Sequence, residues 1–292
     1  MCFKNLFFIP IILILALSSC APKEEIKPTP KPAKIALVLG AGASRGFAHV
    51  GVLKVLESNK IPVHIIVGTS AGSFVGSLYA YGYDSFQIQK MSFSIEKGDI
   101  VDLTLPDNGF IKGEKLEEFI NKAVKNTPLE KLKIPFYAVA TDIQKGTEIV
   151  FGSGNTGTAV RASCSIPGVF RPVRISDRLY VDGGVVSPVA VNAARKLGAD
   201  VVIAVDISSD VESIPPEGTI DTLLQSINIM YSKLASIQLS KADVVIRPDV
   251  GQITSSDFSK KHEAVLEGEK AAINALPAIN SILNTLRQEG RL

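Results

Sequence analysis

Short apolar runs of strand length alternate along this chain with longer stretches that are apolar on one side only. Residues 35–39 form such a run, followed by an amphipathic stretch at 47–57, a second run at 63–67 and a second amphipathic stretch at 71–81. This alternation predicts βαβ units on a mainly parallel sheet. Further strands are predicted at 136–141, 148–151, 179–181, 201–205 and 244–246, and further helices around 113–124, 157–163, 189–197, 220–239 and 263–286. The run Val201-Val202-Ile203-Ala204-Val205 is apolar at every position, as a strand covered on both faces must be. The fold expected is therefore α/β, a three-layer α/β/α sandwich with a mainly parallel central sheet. No internal repeat is visible, and the later Gly and Pro clusters have the length of loops within one domain.

The N-terminal segment stands outside this pattern. Lys4 precedes an apolar core from Leu6 to Leu17 that ends in Leu17-Ser18-Ser19-Cys20. It is short for a membrane span and contains Pro10, so residues 1–19 read as a targeting leader, with an ordinary secretory signal or a membrane helix as competing readings. The pattern resembles a bacterial lipoprotein signal with its lipobox. That resemblance implies cleavage after Ser19, a diacylglyceryl group on the Cys20 thiol, and a mature chain anchored to the bacterial cell envelope. Ala21, in place of an aspartate, implies the outer membrane in a Gram-negative host. Residues 20–33, rich in Pro, Lys and Glu, have no means of forming a core and read as the lipidated cysteine and its tether, leaving 34–292 as the folded domain.

Composition narrows the classes further. With 292 residues, 46% of them hydrophobic, and a net charge of +2, the chain has neither the basic surface of a nucleic-acid binder nor the composition of a disordered one. Of its cysteines, Cys2 lies in the leader and Cys20 carries the expected lipid, so Cys164 has no partner for a disulfide. Set in Ala162-Ser163-Cys164-Ser165, it reads as a buried structural thiol.

Candidate chemistry begins at Gly68-Thr69-Ser70-Ala71-Gly72, directly after the second apolar run. A serine between glycines, where a strand turns sharply into a helix, is the arrangement of a nucleophile elbow, with Ser70 exposed at the sheet edge and Gly68 and Gly72 permitting close backbone contacts. Three fixed positions arise by chance about one time in ten in a chain of this size, so context decides. Upstream, the first strand empties into Gly40-Ala41-Gly42-Ala43-Ser44-Arg45-Gly46 before a helix. Such a turn offers backbone N–H groups to an anion, either a dinucleotide pyrophosphate or an oxyanion. The glycine spacing is GxGxxxG, and the next strand ends in Val67-Gly68-Thr69-Ser70 with no carboxylate for a ribose. The oxyanion reading uses both loops for one site and is preferred. A third element, Tyr180-Val181-Asp182-Gly183-Gly184, places an aspartate at a strand end beside two glycines, a pattern that by itself only forms turns.

Together with Ser165-Ile166-Pro167-Gly168, these blocks make the chain from about Lys34 onward similar to the bacterial patatin-like phospholipases. The resemblance implies a Ser–Asp dyad of Ser70 and Asp182, an oxyanion hole built from Gly40, Gly42, Ala43, Ser44 and Arg45, and a DGG motif in which Gly183 and Gly184 follow the aspartate. It implies hydrolysis of fatty-acyl esters of phospholipid or lysophospholipid, with no cofactor and no metal, and membrane lipids as the partners. Ala41 and Ala43 stand where that family often has glycine, and alanine at both is expected to keep ordinary backbone angles. Of the histidines, His49 reads as a packing residue, His64 lies away from the serine's end of its strand, and His262 reads as part of a solvated helix start. The segment 103–111 either meets acyl chains or forms a buried connection. The competing function is a noncatalytic envelope lipoprotein that uses the fold as a scaffold.

Overall fold

In a computed structural model, residues 30–105, 108–208, 215–216 and 218–292 are described. The expected leader, Cys20 and the tether as far as residue 29 lie outside the described residues, as do Pro106 and Asp107. The elements run β1 (Ile35–Leu39), α1 (Phe47–Ser58), β2 (Ile65–Thr69), α2 (Ala71–Tyr81), α3 (Ser85–Ser94), α4 (Lys97–Ile100) and α5 (Glu114–Ala123). They continue as β3 (Phe136–Asp142), β4 (Thr147–Phe151), α6 (Thr156–Ser163), β5 (Val173–Ile175), β6 (Arg178–Asp182) and α7 (Val191–Lys196). The chain closes with β7 (Val201–Val205), α8 (Thr219–Leu239), β8 (Val244–Ile246) and α9 (Lys261–Gln288).

The strands form one sheet in the order β5-β6-β3-β2-β1-β7-β8, with β4 paired to β3. β3, β2, β1, β7 and β8 are mutually parallel, whereas β4, β5 and β6 pair antiparallel. Alternation along each central strand divides its side chains between two cores. Ile35, Leu37 and Leu39 of β1 and Val201, Ile203 and Val205 of β7 enter the core beneath α1, α2 and α9. Ala36, Val38, Val202 and Ala204 enter the thinner core beneath α7 and α8. This is the three-layer arrangement expected, and it brings the ends of β1 and β2 to one edge, where ligands of open parallel sheets bind.

The differences from expectation are local. The second strand begins at Ile65 because its ladder to β1 starts with Ala36 opposite Ile65, and it continues through Thr69, opposite Val139. The apolar residues of α3 do not share one face, since Ile88 is buried and Phe86 is exposed, but Asp84 and Gln87 form a capping box at its start. β5 reads Val173-Arg174-Ile175, with an exposed charged residue at its centre, so it lacks the apolar run that makes the equally short β8 legible.

α1, which follows the glycine-rich loop, crosses α9 through two glycines. A Cβ on Gly51 would stand 1.9 Å from the Val265 carbonyl oxygen, and one on Gly268 would stand 2.0 Å from that of Ala48. Replacing glycine by alanine inside a helix ordinarily stabilises it by about 1 kcal/mol. Here the crossing reverses the sign: Gly268→Ala is expected to lower the free energy of unfolding by about 1–3 kcal/mol or more, as measured by urea denaturation. An unchanged or raised midpoint would contradict this packing.

Candidate active site

β2 delivers the chain to Ser70, whose backbone lies at φ 53°, ψ −122°. A non-glycine residue there stores strain of about 1–3 kcal/mol, which the surroundings must offset. Two glycines make the turn possible by contact rather than by angle. A Cβ on Gly68 would meet Ser73 Cα at 2.5 Å, and one on Gly72 would meet the Leu39 carbonyl oxygen at 2.0 Å. The turn is also tied from outside: the Ser70 N–H donates to Ser163 Oγ (2.9 Å), and that hydroxyl donates to the Val139 carbonyl (2.6 Å). Ser163, at the end of α6, thus joins the elbow to β3.

Asp182 ends β6, opposite Ala140 of β3. Its N–H donates to the Ser165 carbonyl (2.8 Å), and the Asp182 carbonyl accepts from Thr141 Oγ1 (2.9 Å). The side chain is fully buried. Ser70 Oγ donates to Oδ2 at 2.5 Å, and Oδ1 accepts from the Gly184 N–H at 2.7 Å and from the Tyr231 hydroxyl at 3.1 Å. Burial pushes the carboxyl up from 3.8 to about 6, partly offset by the bonds from Ser70, Gly184 and Tyr231. A Cβ on Gly183 would clash with the Val139 carbonyl oxygen at 2.2 Å, so the glycine after the aspartate permits this approach to β3.

Sequence reasoning missed Tyr231. It stands in a buried stripe of α8 at four-residue spacing, Ile227, Tyr231, Ala235 and Leu239. A tyrosine in an otherwise apolar stripe needs an acceptor for its hydroxyl, and that was the available signal.

The glycine-rich loop departs from one expectation. Ala41 has no positive φ, but Ala43 adopts φ 49°, a left-handed angle that alanine disfavours. The strain is held by anchors on either side. The Arg45 side chain is fully buried and its Nε donates to the Ile253 carbonyl (2.7 Å), while Ser44 Oγ donates to the Thr254 carbonyl (2.8 Å). Buried His49 bonds the Gly40 carbonyl through Nε2 (2.8 Å); burial lowers its basicity to about 4, so the ring is neutral and Nε2 is the donor. The amides of Gly40, Ser44 and Arg45 already donate within the chain, at 3.0, 3.3 and 3.1 Å. Of the residues expected to form the oxyanion hole, Gly42 and Ala43 are those whose amides have no acceptor among the described residues, while Arg45 and Ser44 anchor the loop. A Cβ on Gly42 would stand 2.6 Å from Ile207 Cδ1, so a larger residue there would displace that side chain.

Ser70 and Ala43 line a cavity of about 150 Å³ whose other walls are mostly apolar, among them Phe47, Phe74, Ile95, Ile100, Phe170 and Phe258. Cys164 also lines it, with Sγ 3.7 Å from Ser73 Oγ; burial, then the charge of Asp182, push its thiol up, so it stays protonated. Ile166 of the Ser-Ile-Pro-Gly block forms part of the wall, and the block's Ser165 carbonyl receives the Asp182 amide. Neither other histidine joins the site: His64 Nδ1 accepts from the Ile35 N–H at the start of the sheet, and His262 packs on Phe93 at 4.3 Å. Leu103 and Leu105 are 79% and 85% exposed, which rules out the buried-connection reading for that end of the segment. Among the described residues, no group of His, Cys, Asp and Glu is arranged to hold a metal ion. A serine hydroxyl bonded to a buried carboxylate, beside amides without an acceptor among the described residues and an apolar cavity, can accept and release an acyl group.

The family described as patatin-like phospholipase matches residues 37–195. Lysophospholipase NTE1 of Coccidioides immitis is 37% identical over 195 residues, 65% of this chain and 12% of that protein. Lysophospholipase NTE1 of Pyricularia oryzae is 28% identical over 291 residues, 88% of this chain and 19% of that protein. The chain thus spans less than a fifth of the length of these curated relatives. Among solved structures, VipD from Legionella pneumophila is similar with a TM-score of 0.51 at 14% identity, covering 86% of this chain and 67% of that one, a likeness of fold.

The raised carboxyl has a consequence for stability. Because Asp182 titrates at about 6 in the fold against 3.8 outside it, its contribution to stability is complete below about 3.8 and lost as pH rises through 6. Above that, the buried carboxylate opposes folding by on the order of 3 kcal/mol. Asp182→Asn is therefore expected to raise the unfolding midpoint at pH 8 and to leave it near the parent value below pH 4, in paired thermal melts. A variant less stable than the parent at pH 8 would show that the carboxylate is a net stabiliser.

Proposed function

The chain belongs to the patatin-like phospholipase family, and from that membership we propose that it is a serine lipid acyl hydrolase cleaving fatty-acyl esters of phospholipid or lysophospholipid through Ser70 and Asp182. The observation that carries the proposal is the 2.5 Å bond from Ser70 Oγ to Asp182 Oδ2 at the wall of an apolar cavity. The lysophospholipase names of the fungal relatives support the substrate class.

In this reading Asp182 Oδ2 takes the hydroxyl proton as Ser70 Oγ attacks the ester carbonyl. An ordinary carboxylate is a weak base for that step, and burial of Asp182 strengthens it while leaving most of it ionised at pH 7. The amides of Gly42 and Ala43 and the positive end of α2 receive the charge that develops on the carbonyl oxygen. As the tetrahedral intermediate collapses, Asp182 returns the proton to the leaving alcohol, and the acyl group remains on Ser70. Water then enters, Asp182 takes its proton, and the second collapse frees the fatty acid and restores the serine. The apolar walls accommodate the acyl chain, and the neutral, buried His49 serves the loop rather than the proton transfer.

The proposal extends to the N-terminal segment. Residues 1–19 are a lipoprotein leader, Cys20 carries the lipid, and residues 20–33 tether the domain 34–292 to a bacterial envelope membrane, the outer one in a Gram-negative host. The support is the Leu17-Ser18-Ser19-Cys20 pattern.

Two outcomes are expected. A fluorophosphonate should label the folded protein at Ser70, and Ser70→Ala should lose both labelling and roughly a thousandfold or more of lysophospholipid hydrolysis. Folded protein that neither labels nor releases fatty acid would return the scaffold reading. Radiolabelled palmitate should enter the chain in a bacterial host and be lost in Cys20→Ser; equal incorporation in that variant would exclude the anchor.

A further inference from the structure

We propose that Tyr231 is a positioning residue for Asp182, a third partner of the Ser70–Asp182 pair that reaches it from α8 on the opposite layer. The inference rests on the function proposed above and concerns a residue beyond the stretch 37–195 that matches the family.

The geometry is specific. Asp182 has two carboxylate oxygens with different neighbours. Oδ2 receives the Ser70 hydroxyl, while Oδ1 receives both the Gly184 amide and the Tyr231 hydroxyl. Without Tyr231, the end of the carboxylate away from the nucleophile would be held by the Gly184 amide alone. A second donor on the same oxygen fixes the plane of the group and therefore the direction in which Oδ2 faces Ser70. The room for the tyrosine is made by the glycine: a Cβ on Gly184 would stand 2.3 Å from ring carbons Cε2 and Cζ of Tyr231. The second glycine of Asp182-Gly183-Gly184 thus has two tasks, to donate its amide and to admit the ring. α8 is held in turn by the surroundings of the ring, which is 5% exposed and clusters with Ile227, Ile166 and Ala41. Ala41 belongs to the glycine-rich loop and Ile166 to the cavity wall, so the cluster around the tyrosine joins α8 to both, while the tyrosine itself lies outside the cavity lining.

The titratable and charged groups facing Asp182 come from each element packed on it. They are Ser70 ahead of α2, the protonated thiol of Cys164 after α6, and Tyr231 on α8. On β3, Asp142 is instead paired with Arg178 at 3.3 Å. Of these, Tyr231 is the one that can be altered without touching the nucleophile or the acyl cavity. Its hydroxyl donates to the ionised form of Asp182, so its removal favours protonation and weakens the base at low pH.

The test is a pair of substitutions at one atom in the full chain, read by pH profile. Tyr231→Phe is expected to move the acid-side midpoint of kcat/KM for a soluble short-chain ester upward by roughly one pH unit, to lower the rate at pH 6 about fivefold, and to leave KM within about twofold. Tyr231→3-fluorotyrosine, a stronger donor of the same shape, is expected to move that midpoint downward by roughly a few tenths of a unit. A merely structural tyrosine moves neither midpoint, and that result overturns the proposal. Should Tyr231→Phe fail to fold, the fluorinated variant decides alone. The same shifts are read without turnover in the carbon-13 carboxyl signal of Asp182, identified by its loss in Asp182→Asn. Absence of ester hydrolysis in the parent would therefore defeat the proposed function while the carboxyl titration still upheld or overturned the role of Tyr231.

Discussion

A carboxylate held away from water against a serine hydroxyl is the constraint around which this molecule is arranged. Removing Asp182 from solvent is unfavourable in its ionised form, and the fold offsets only part of that with the bonds from Ser70, Gly184 and Tyr231. What is left over appears as increased basicity, with the carboxyl at about 6. The same desolvation that weakens the fold at neutral pH thus raises the basicity of the carboxylate, as is common where buried groups cluster in a cleft.

Bringing Ser70 and Asp182 together is a problem of sheet geometry. They lie 112 positions apart in the chain, at the ends of β2 and β6, and β3 lies between them. Thr69 is opposite Val139 on one side, and Ala140 is opposite Asp182 on the other. The Val139 carbonyl accepts from Ser163, which holds the elbow, and lies so near Gly183 that no side chain fits there. One peptide group of β3 therefore references both halves of the pair. The glycines at 68, 72, 183 and 184 share a cause: backbone or ring atoms pass within 2.0–2.5 Å of where each Cβ would stand.

Much of the fold was legible in the sequence. The strands at 35–39, 201–205 and 244–246 and the helix at 71–81 coincide with those observed, because burial on both faces, or on one helical face, leaves a periodic mark in a few consecutive residues. The elements that escaped are α3, whose apolar residues do not fall on one face, the single turn of α4, and β5, which carries a charged residue at its centre. At the site, the elbow and the Asp182-Gly183-Gly184 turn were legible because tight turns demand glycine locally. The angle of Ala43 was not: alanine argued for an ordinary conformation, and only anchors supplied by Ile253 and Thr254, some 210 positions away, hold the left-handed one.

The sequence by itself determined the layered α/β architecture, the family resemblance, and the identity of a serine and an aspartate set in glycine-rich turns, since each of these is written in residues close together in the chain. Only the tertiary structure decided which loop amides have no acceptor among the described residues, that His49 is neutral and committed to Gly40, and that Tyr231 completes the surroundings of Asp182. Those properties arise where distant segments exclude water from one another. Desolvation depends on what covers a group from every side, and no local run of residues records it.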